Sequence, residues 1–151
     1  IAVLGSTAMR IKNTDALRTF IEKHQIPFAS TTMAKGLIDE DHPLSIGCIE
    51  RSRRQMQRSF IGEADLVIGL GYDVIEAEYE SWIGDVPLVH VDIEKADTDA
   101  SVNVAHEVVG DLDATLEKIN GMDSGPNEWP SGAALQHKDE FQKALRPAST
   151  S

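Results

Sequence analysis

"ADLVIGLG", residues 64–71, decides how this chain is read. Leu66, Val67, Ile68 and Leu70 follow one another with only a glycine between them. A strand with one wet face alternates apolar and polar residues, whereas a strand covered on both faces is apolar almost throughout. Three more runs share this texture: "IAVLG" (1–5), "IPFAST" (26–31) and "VPLVHVDI" (86–93). "AHEVVGD" (105–111) is a weaker fifth.

Helical spacing fills the gaps between the runs. Leu17, Phe20, Ile21 and His24 share one stripe, with Asn13 or Thr14 placed to cap it. Met56, Phe60 and Ile61 mark a second helix, and Leu112, Leu116 and Ile119 a third over 113–119. Strand and helix in alternation predict βαβ units and a doubly wound, Rossmann-like α/β fold with a mostly parallel sheet. No internal repeat is visible. After Asn120, "GMDSGPNEWPSG" is rich in turn formers and reads as a linker. Residues 133–145 can form one more short helix, and "RPASTS" should fray. The expected division is therefore a domain over 1–120 and a linker with a C-terminal tail over 121–151.

Composition excludes several classes of function. A length of 151 residues suits one domain, and 41% hydrophobic with 26% charged residues is ordinary for a soluble protein. A net charge of −11 argues against nucleic acid and anionic membrane as partners, because phosphate contacts need clustered Lys and Arg. The single cysteine, Cys48, cannot close an internal disulfide, which suits a reducing, cytoplasmic setting. No run is apolar for long enough to span a bilayer, and no signal peptide is present. The chain opens on a strand without an initiator Met, as a piece of a longer protein would.

In an open parallel sheet, ligands sit at the carboxyl ends of the strands. The residues to watch are Gly5-Ser6-Thr7-Ala8, Thr31-Thr32, Gly71-Tyr72-Asp73, Asp92-Ile93 and Asp111-Leu112. The small residues of "GSTAM" let backbone amides approach a phosphate, though the stretch matches neither the dinucleotide nor the P-loop fingerprint, and a plain tight turn reads equally well. Asp92 either accepts both hydroxyls of a ribose or caps the turn that follows, and spacing does not separate the two. Asp111 is placed to cap the helix after it. Arg51, Arg53, Arg54 and Arg58 are the one basic cluster, readable as a phosphate site, a solvated helix face or a subunit contact. Cys48 has no His on a neighbouring loop, Ser6, Ser30 and Ser45 lie in no nucleophile elbow, and the five His lack metal-ligand spacing. His90, inside a strand, reads as a core histidine. The residues describe a binding module and not a complete enzyme.

Four stretches in one consistent order resemble the central domain of thiamine-diphosphate-dependent enzymes, the acetolactate synthase-like family. They are "IPFASTTMAKGLIDEDHPLSIG", "EADLVIGLG", "VPLVHVDIEKAD" and "VVGDLDATLEKI". The resemblance covers residues 1 to about 120 and implies a sheet of about six strands. It further implies a parent 2-oxo-acid decarboxylase or carboligase, a homo-oligomer (dimer or tetramer), whose thiamine diphosphate and Mg2+ are held by domains absent here. This chain has no Gly-Asp-Gly motif for them; its Gly-Asp pairs are "GDV" at 84 and "GDL" at 110. By position, the resemblance assigns nucleotide contacts to Gly5, Ser6, Thr7, Ala8, Thr32, Gly71, Asp92, Ile93, Asp111 and Leu112, with Asp92 on the ribose and Asp111-Leu112 flanking the adenine. Family members carry FAD, ADP, part of a coenzyme A, or nothing in this domain.

The departures argue against FAD. Side chains stand in "GSTAM" where bare backbone is usual, "IGCIERSRR" replaces a second glycine with bulk, and "YDVIEAEYE" offers no arginine while adding Glu76, Glu78 and Glu80. ADP, part of coenzyme A, or a vestigial pocket remains. Lys35–Pro43 is expected to pack against another domain. A rival expectation from a different class is a free-standing nucleotide- or partner-binding subunit, similar to the small Rossmann-like subunit of acetyl-CoA decarbonylase/synthase.

Overall fold

Successive residues of the first strand point to opposite faces of the sheet, and both faces are dry. In the computed structural model, which describes residues 1–48, 59–71, 86–95, 104–122 and 132–145, β1 spans Ala2–Leu4. Val3 joins Ile46, Val67 and Leu88 on one face, while Ala2 and Leu4 join Leu17, Phe20 and Leu70 on the other. This two-sided burial is the physical reason the runs are continuous instead of alternating.

Among the described residues the other strands are β2 (Phe28–Ser30), β3 (Ser45–Cys48), β4 (Val67–Leu70), β5 (Leu88–Asp92) and β6 (Val104–Val109). All pairings are parallel, in the order β3-β2-β1-β4-β5-β6. The doubly wound α/β expectation holds, and the order reverses between β1 and β4. The apolar runs missed β3. Only Ile46 and Cys48 are apolar in it, and Gly47 between them has φ of +94°. Phe28 pairs with Ser45 but Ser30 with Cys48, so β3 carries one residue more than β2 over this stretch. Ser45 Oγ accepts the Gly47 amide at 3.0 Å and steadies the bulge.

The 3-10 helices Ser6–Arg10 and Thr32–Ala34 follow β1 and β2. Helix α1 (Thr14–Lys23) buries Leu17, Phe20 and Ile21, each such burial contributing about 2 kcal/mol. Of the two cap candidates the structure uses Asn13, whose Oδ1 accepts the Ala16 amide at 3.2 Å. Helix α2 (Leu112–Asn120) lies beside α1 with like ends together. The Asp113 carboxylate accepts the Asn13 amide at 2.9 Å and the Lys12 amide at 3.1 Å, and Asn120 Nδ2 donates to the Ala16 carbonyl at 3.0 Å.

The loop from β2 to β3 is fastened to its own domain. His42 Nδ1 accepts the Leu44 amide at 3.1 Å, so the proton sits on Nε2, which lies 3.0 Å from Glu22 of α1 and donates to it. Ile38 is buried in the core, while Lys35, Asp39 and Asp41 are exposed. The stretch expected to serve a neighbouring domain thus packs first on this one.

Residues 133–145 form the expected helix, α3 (Ala133–Leu145), and it is seated on the sheet. Ala134 joins the core cluster of Ile46, Phe60 and Ile61, and the His137 ring lies 4.5 Å from that of Phe60. Phe60 and Ile61 belong to helical residues 59–62, as their spacing predicts. Met56, the "GMDSGPNEWPSG" linker and the "RPASTS" tail lie outside the described residues, apart from Gly121, Met122 and Gly132.

Where the strand order reverses, main-chain hydrogen bonds tie the turn after β1 to the end of β4. The Gly5 amide donates to the Leu70 carbonyl and the Thr7 amide to that of Gly71, both at 2.9 Å. Gly71 has φ of +62°, and a Cβ there would overlap the Ala8 amide nitrogen and come within 2.8 Å of the Thr7 carbonyl carbon. A side chain is excluded by backbone on one side and by conformation on the other. Gly71→Ala should cost roughly 3 kcal/mol, strain and overlap together. Gly36→Ala, at φ of +90° with open space around it, should cost only about 1 kcal/mol. Urea unfolding of both variants checks this, and equal costs would remove the close approach as a constraint.

Acid should weaken the fold in two steps. Burial pushes His137 below its usual 6.5, against the opposing pull of Glu140 and Glu63. The unfolded chain then binds a proton the folded chain resists, so stability falls as pH drops below that ordinary value. The backbone amides of Asn13 and Lys12 hold the Asp113 carboxyl below its usual 3.8, so its contribution is present at neutral pH and lost as pH falls through the depressed value. The Ile1 amine, lowered by burial from 8.0 to about 6, acts in the same direction, its loss of stability setting in as pH falls from 8 toward 6. Thermal unfolding from pH 8 to pH 3 should show both steps, with His137→Phe shrinking the first and Asp113→Asn removing the second.

Candidate functional site

The ladder of the parallel sheet continues one residue past the strands. The Thr31 amide donates to the Leu4 carbonyl at 2.9 Å, Gly5 to Leu70 at 2.9 Å, Gly71 to Val91 at 2.8 Å and Gly110 to Asp92 at 2.9 Å. Five strand ends are thereby drawn into one row along the carboxyl edge. Gly5, Gly71 and Asp92, named from sequence, stand in this row, and Asp111 is the residue after its last member. Thr32 opens the 3-10 helix next to Thr31. Gly5 and Asp92 are two strand spacings apart, roughly 10 Å, the order of distance a ribose with its diphosphate covers.

The Gly5–Ala8 turn is less of a phosphate cradle than its residues suggest. Its Gly5 and Thr7 amides bond β4, and the Ala8 amide bonds the Gly5 carbonyl at 3.0 Å. Ala8 itself is buried in the core. Ser6 and Thr7 are half-buried, so the turn does not present an open nest of amides.

Asp92 is the polar centre of the row. It is 7% exposed, and Oδ1 accepts the Ile93 amide at 2.6 Å. Of its two expected roles the cap is seen, since the carboxylate holds the first amide of the turn; its place at the end of β5 is where the ribose role would put it. His90 is buried, as its place in a strand implies, and its Nε2 lies 3.9 Å from Asp92 Oδ2. The spacing in "VHVD" puts both side chains on one face of the strand, and that alternation is the signal in the sequence that pairs them. Ile93 is exposed beside them.

Asp111 is the cap its position predicts. Its side chain accepts the Asp113 amide at 3.3 Å, and its carbonyl takes the Thr115 amide at 3.0 Å. Leu112 is buried in the core, so only its main chain can reach a base at the edge. Among the described residues no group of three His, Cys, Asp or Glu could hold a metal, and no helix is long and apolar enough to cross a membrane. Tyr72, Asp73, the arginines at 51, 53, 54 and 58, and Glu76, Glu78 and Glu80 lie outside the described residues.

Comparisons with known proteins agree with this geometry. Residues 1–119 match the family model of the thiamine pyrophosphate enzyme central domain. The chain is 31% identical over 121 residues to oxalyl-CoA decarboxylase of Escherichia coli K12, covering 78% of this chain and 20% of that protein. It is 30% identical over 122 residues to acetolactate synthase of Bacillus subtilis, covering 79% and 21%. With the acetolactate synthase large subunit of Parasynechococcus marenigrum it is 27% identical over 153 residues, covering 96% and 25%. A solved structure from Mycobacterium smegmatis, described as a thiamin diphosphate-dependent enzyme, shares the fold at TM-score 0.62 and 24% identity, covering 84% of this chain and 25% of that one. The chain thus spans about a fifth to a quarter of the length of these proteins. The decarbonylase-subunit alternative gains no support from these relatives. Fold, strand-end row and sequence matches converge: the chain belongs to the thiamine pyrophosphate enzyme central-domain family.

Proposed function

We propose that this domain serves a larger thiamine-diphosphate-dependent enzyme, a decarboxylase or carboligase of 2-oxo acids, as a non-catalytic scaffold with an adenine-nucleotide pocket at its carboxyl edge. The observation that carries the pocket is Asp92, a nearly buried carboxylate at the end of β5 with one oxygen fixed by the Ile93 amide. A carboxylate so placed suits the two hydroxyls of a ribose. ADP, or the ADP part of coenzyme A, is the ligand class. FAD is disfavoured because the Gly5, Thr7 and Ala8 amides are engaged within the fold.

Among the described residues no group of three or more His, Cys, Asp or Glu is placed to hold Mg2+. Thiamine diphosphate and Mg2+ fall to other domains of the parent protein, and no step of the reaction is assigned to this chain. The other domains have a surface to pack on. Of the seven exposed large hydrophobics among the described residues, Met9, Met33, Ile93, Val108 and Val109 lie at or just beyond the carboxyl ends of strands, while Met122 and Leu135 lie elsewhere. We assign this rim to contact with the rest of the parent enzyme, a cytoplasmic homo-oligomer of two or four subunits.

A scaffold with a vestigial pocket is the second reading, and the engaged amides of the Gly5–Ala8 turn favour it. Calorimetric titration of the folded protein with ADP, coenzyme A and FAD, repeated with Asp92→Ala, decides between them. ADP or coenzyme A should bind, and the variant should weaken binding about tenfold or more. FAD binding more tightly than ADP would overturn the argument from the amides. No heat from any of the three leaves the scaffold.

A further inference from the structure

In a doubly wound sheet the phosphate of a bound nucleotide rests where the first strand hands over to the first helix, against free main-chain amides. Here those amides are engaged. The Gly5 and Thr7 amides bond the Leu70 and Gly71 carbonyls, and the Ala8 amide bonds that of Gly5. Just ahead of α1, the amides of Lys12 and Asn13 donate to the Asp113 carboxylate. Oδ1 accepts Asn13 at 2.9 Å and Lys12 at 3.1 Å, and Oδ2 accepts Lys12 at 3.1 Å. Asp113 comes from α2, 100 residues further along the chain than Asn13, so this is not the local capping that Asn13 gives its own helix. An anion already stands before α1, and it is the protein's own.

We propose that Asp113 is a specificity-determining residue, its carboxylate filling the anion seat between β1 and α1, so that the carboxyl edge selects the nucleoside of an adenine nucleotide and gives its phosphates no hold there. The proposal rests on the nucleotide reading above and narrows it. Two effects act together. The amides that would cradle a phosphate are committed to a carboxylate, and that carboxylate repels a second anion brought close to it. The same amides hold the Asp113 carboxyl below its usual 3.8, with a smaller attraction from the Lys12 ammonium, so the charge is in place at neutral pH. Further along the edge the Ile93 amide is on Asp92 and the Asp113 amide on Asp111. Three places on the described edge thus carry an internal carboxylate where a phosphate would seek an amide.

The test compares adenosine, ADP and inorganic pyrophosphate on the purified chain by calorimetry, with the amide NMR shifts of Lys12 and Asn13 as a second readout. Adenosine and ADP should bind within about threefold of each other, since phosphates that meet no donor add little. Pyrophosphate should leave the Lys12 and Asn13 amide resonances in place. Asp113→Ala frees both amides and removes the charge. In that variant ADP affinity should rise about fivefold while adenosine stays within about twofold, and pyrophosphate should shift both resonances. A purely structural role, the joining of α2 to α1, would move adenosine and ADP alike. Should Asp113→Ala fail to fold, Asp113→Asn keeps an acceptor without the charge, and ADP should gain about threefold over adenosine. ADP binding about tenfold or more tightly than adenosine to the unaltered chain overturns this inference and leaves the nucleotide reading standing. A folded Asp113 variant with an unchanged ratio of ADP to adenosine affinity does the same. Absence of binding by adenosine and ADP alike overturns both.

Discussion

The structure turns on the seam between β1 and β4. Strand order reverses there, so crossovers before it and after it diverge to either side, and main-chain hydrogen bonds close the carboxyl edge between the two halves. The Thr7–Gly71 hydrogen bond draws the turn after β1 onto the end of β4, and the absence of a Cβ at Gly71 makes that approach sterically possible. The row of strand ends that forms the candidate site is in register because this seam is closed. The same closure engages the amides that would otherwise line a phosphate cradle. One contact therefore both builds the edge and limits what the edge can hold.

That limit moves the chemical weight of the site from the glycine-poor turn to β5. Asp92 and His90 are buried polar residues at the end of a strand otherwise packed with apolar side chains. Buried polar groups of this sort need a compensating interaction, and here each lies within electrostatic reach of the other. Around them the exposed rim is apolar, which fits a domain that makes up about a fifth of the length of its relatives. The proposed nucleoside seat would use this carboxylate together with the apolar rim at a boundary between domains.

Much of the fold was legible before any coordinates, and the particulars show why. "ADLVIGLG" announces a doubly buried strand because apolar residues are needed on both faces at once. Asn13 and Asp111 announce helix starts because their short side chains reach amides two or three residues on. Strand β3 was not legible from its residues, since a bulge at Gly47 breaks the pattern and two of its four residues are Ser and Gly. The seating of α3 was hidden for another reason. Among its described side chains the core contacts come from Ala133, Ala134 and the ring of His137, and its partner Phe60 lies far away in sequence.

Local chemistry in the sequence determined the class of fold, the helix caps, the direction of the strands and the list of residues that end them. It also fixed the family, through four stretches in one order. Tertiary structure alone decided which of those residues retain chemistry to offer. Sequence places Ser6, Thr7, Ala8 and Leu112 beside a ligand edge; packing buries Ala8 and Leu112 and turns the Thr7 amide toward Gly71. Whether a donor is engaged depends on atoms brought together from distant parts of the chain, and spacing along one strand of text carries no record of that.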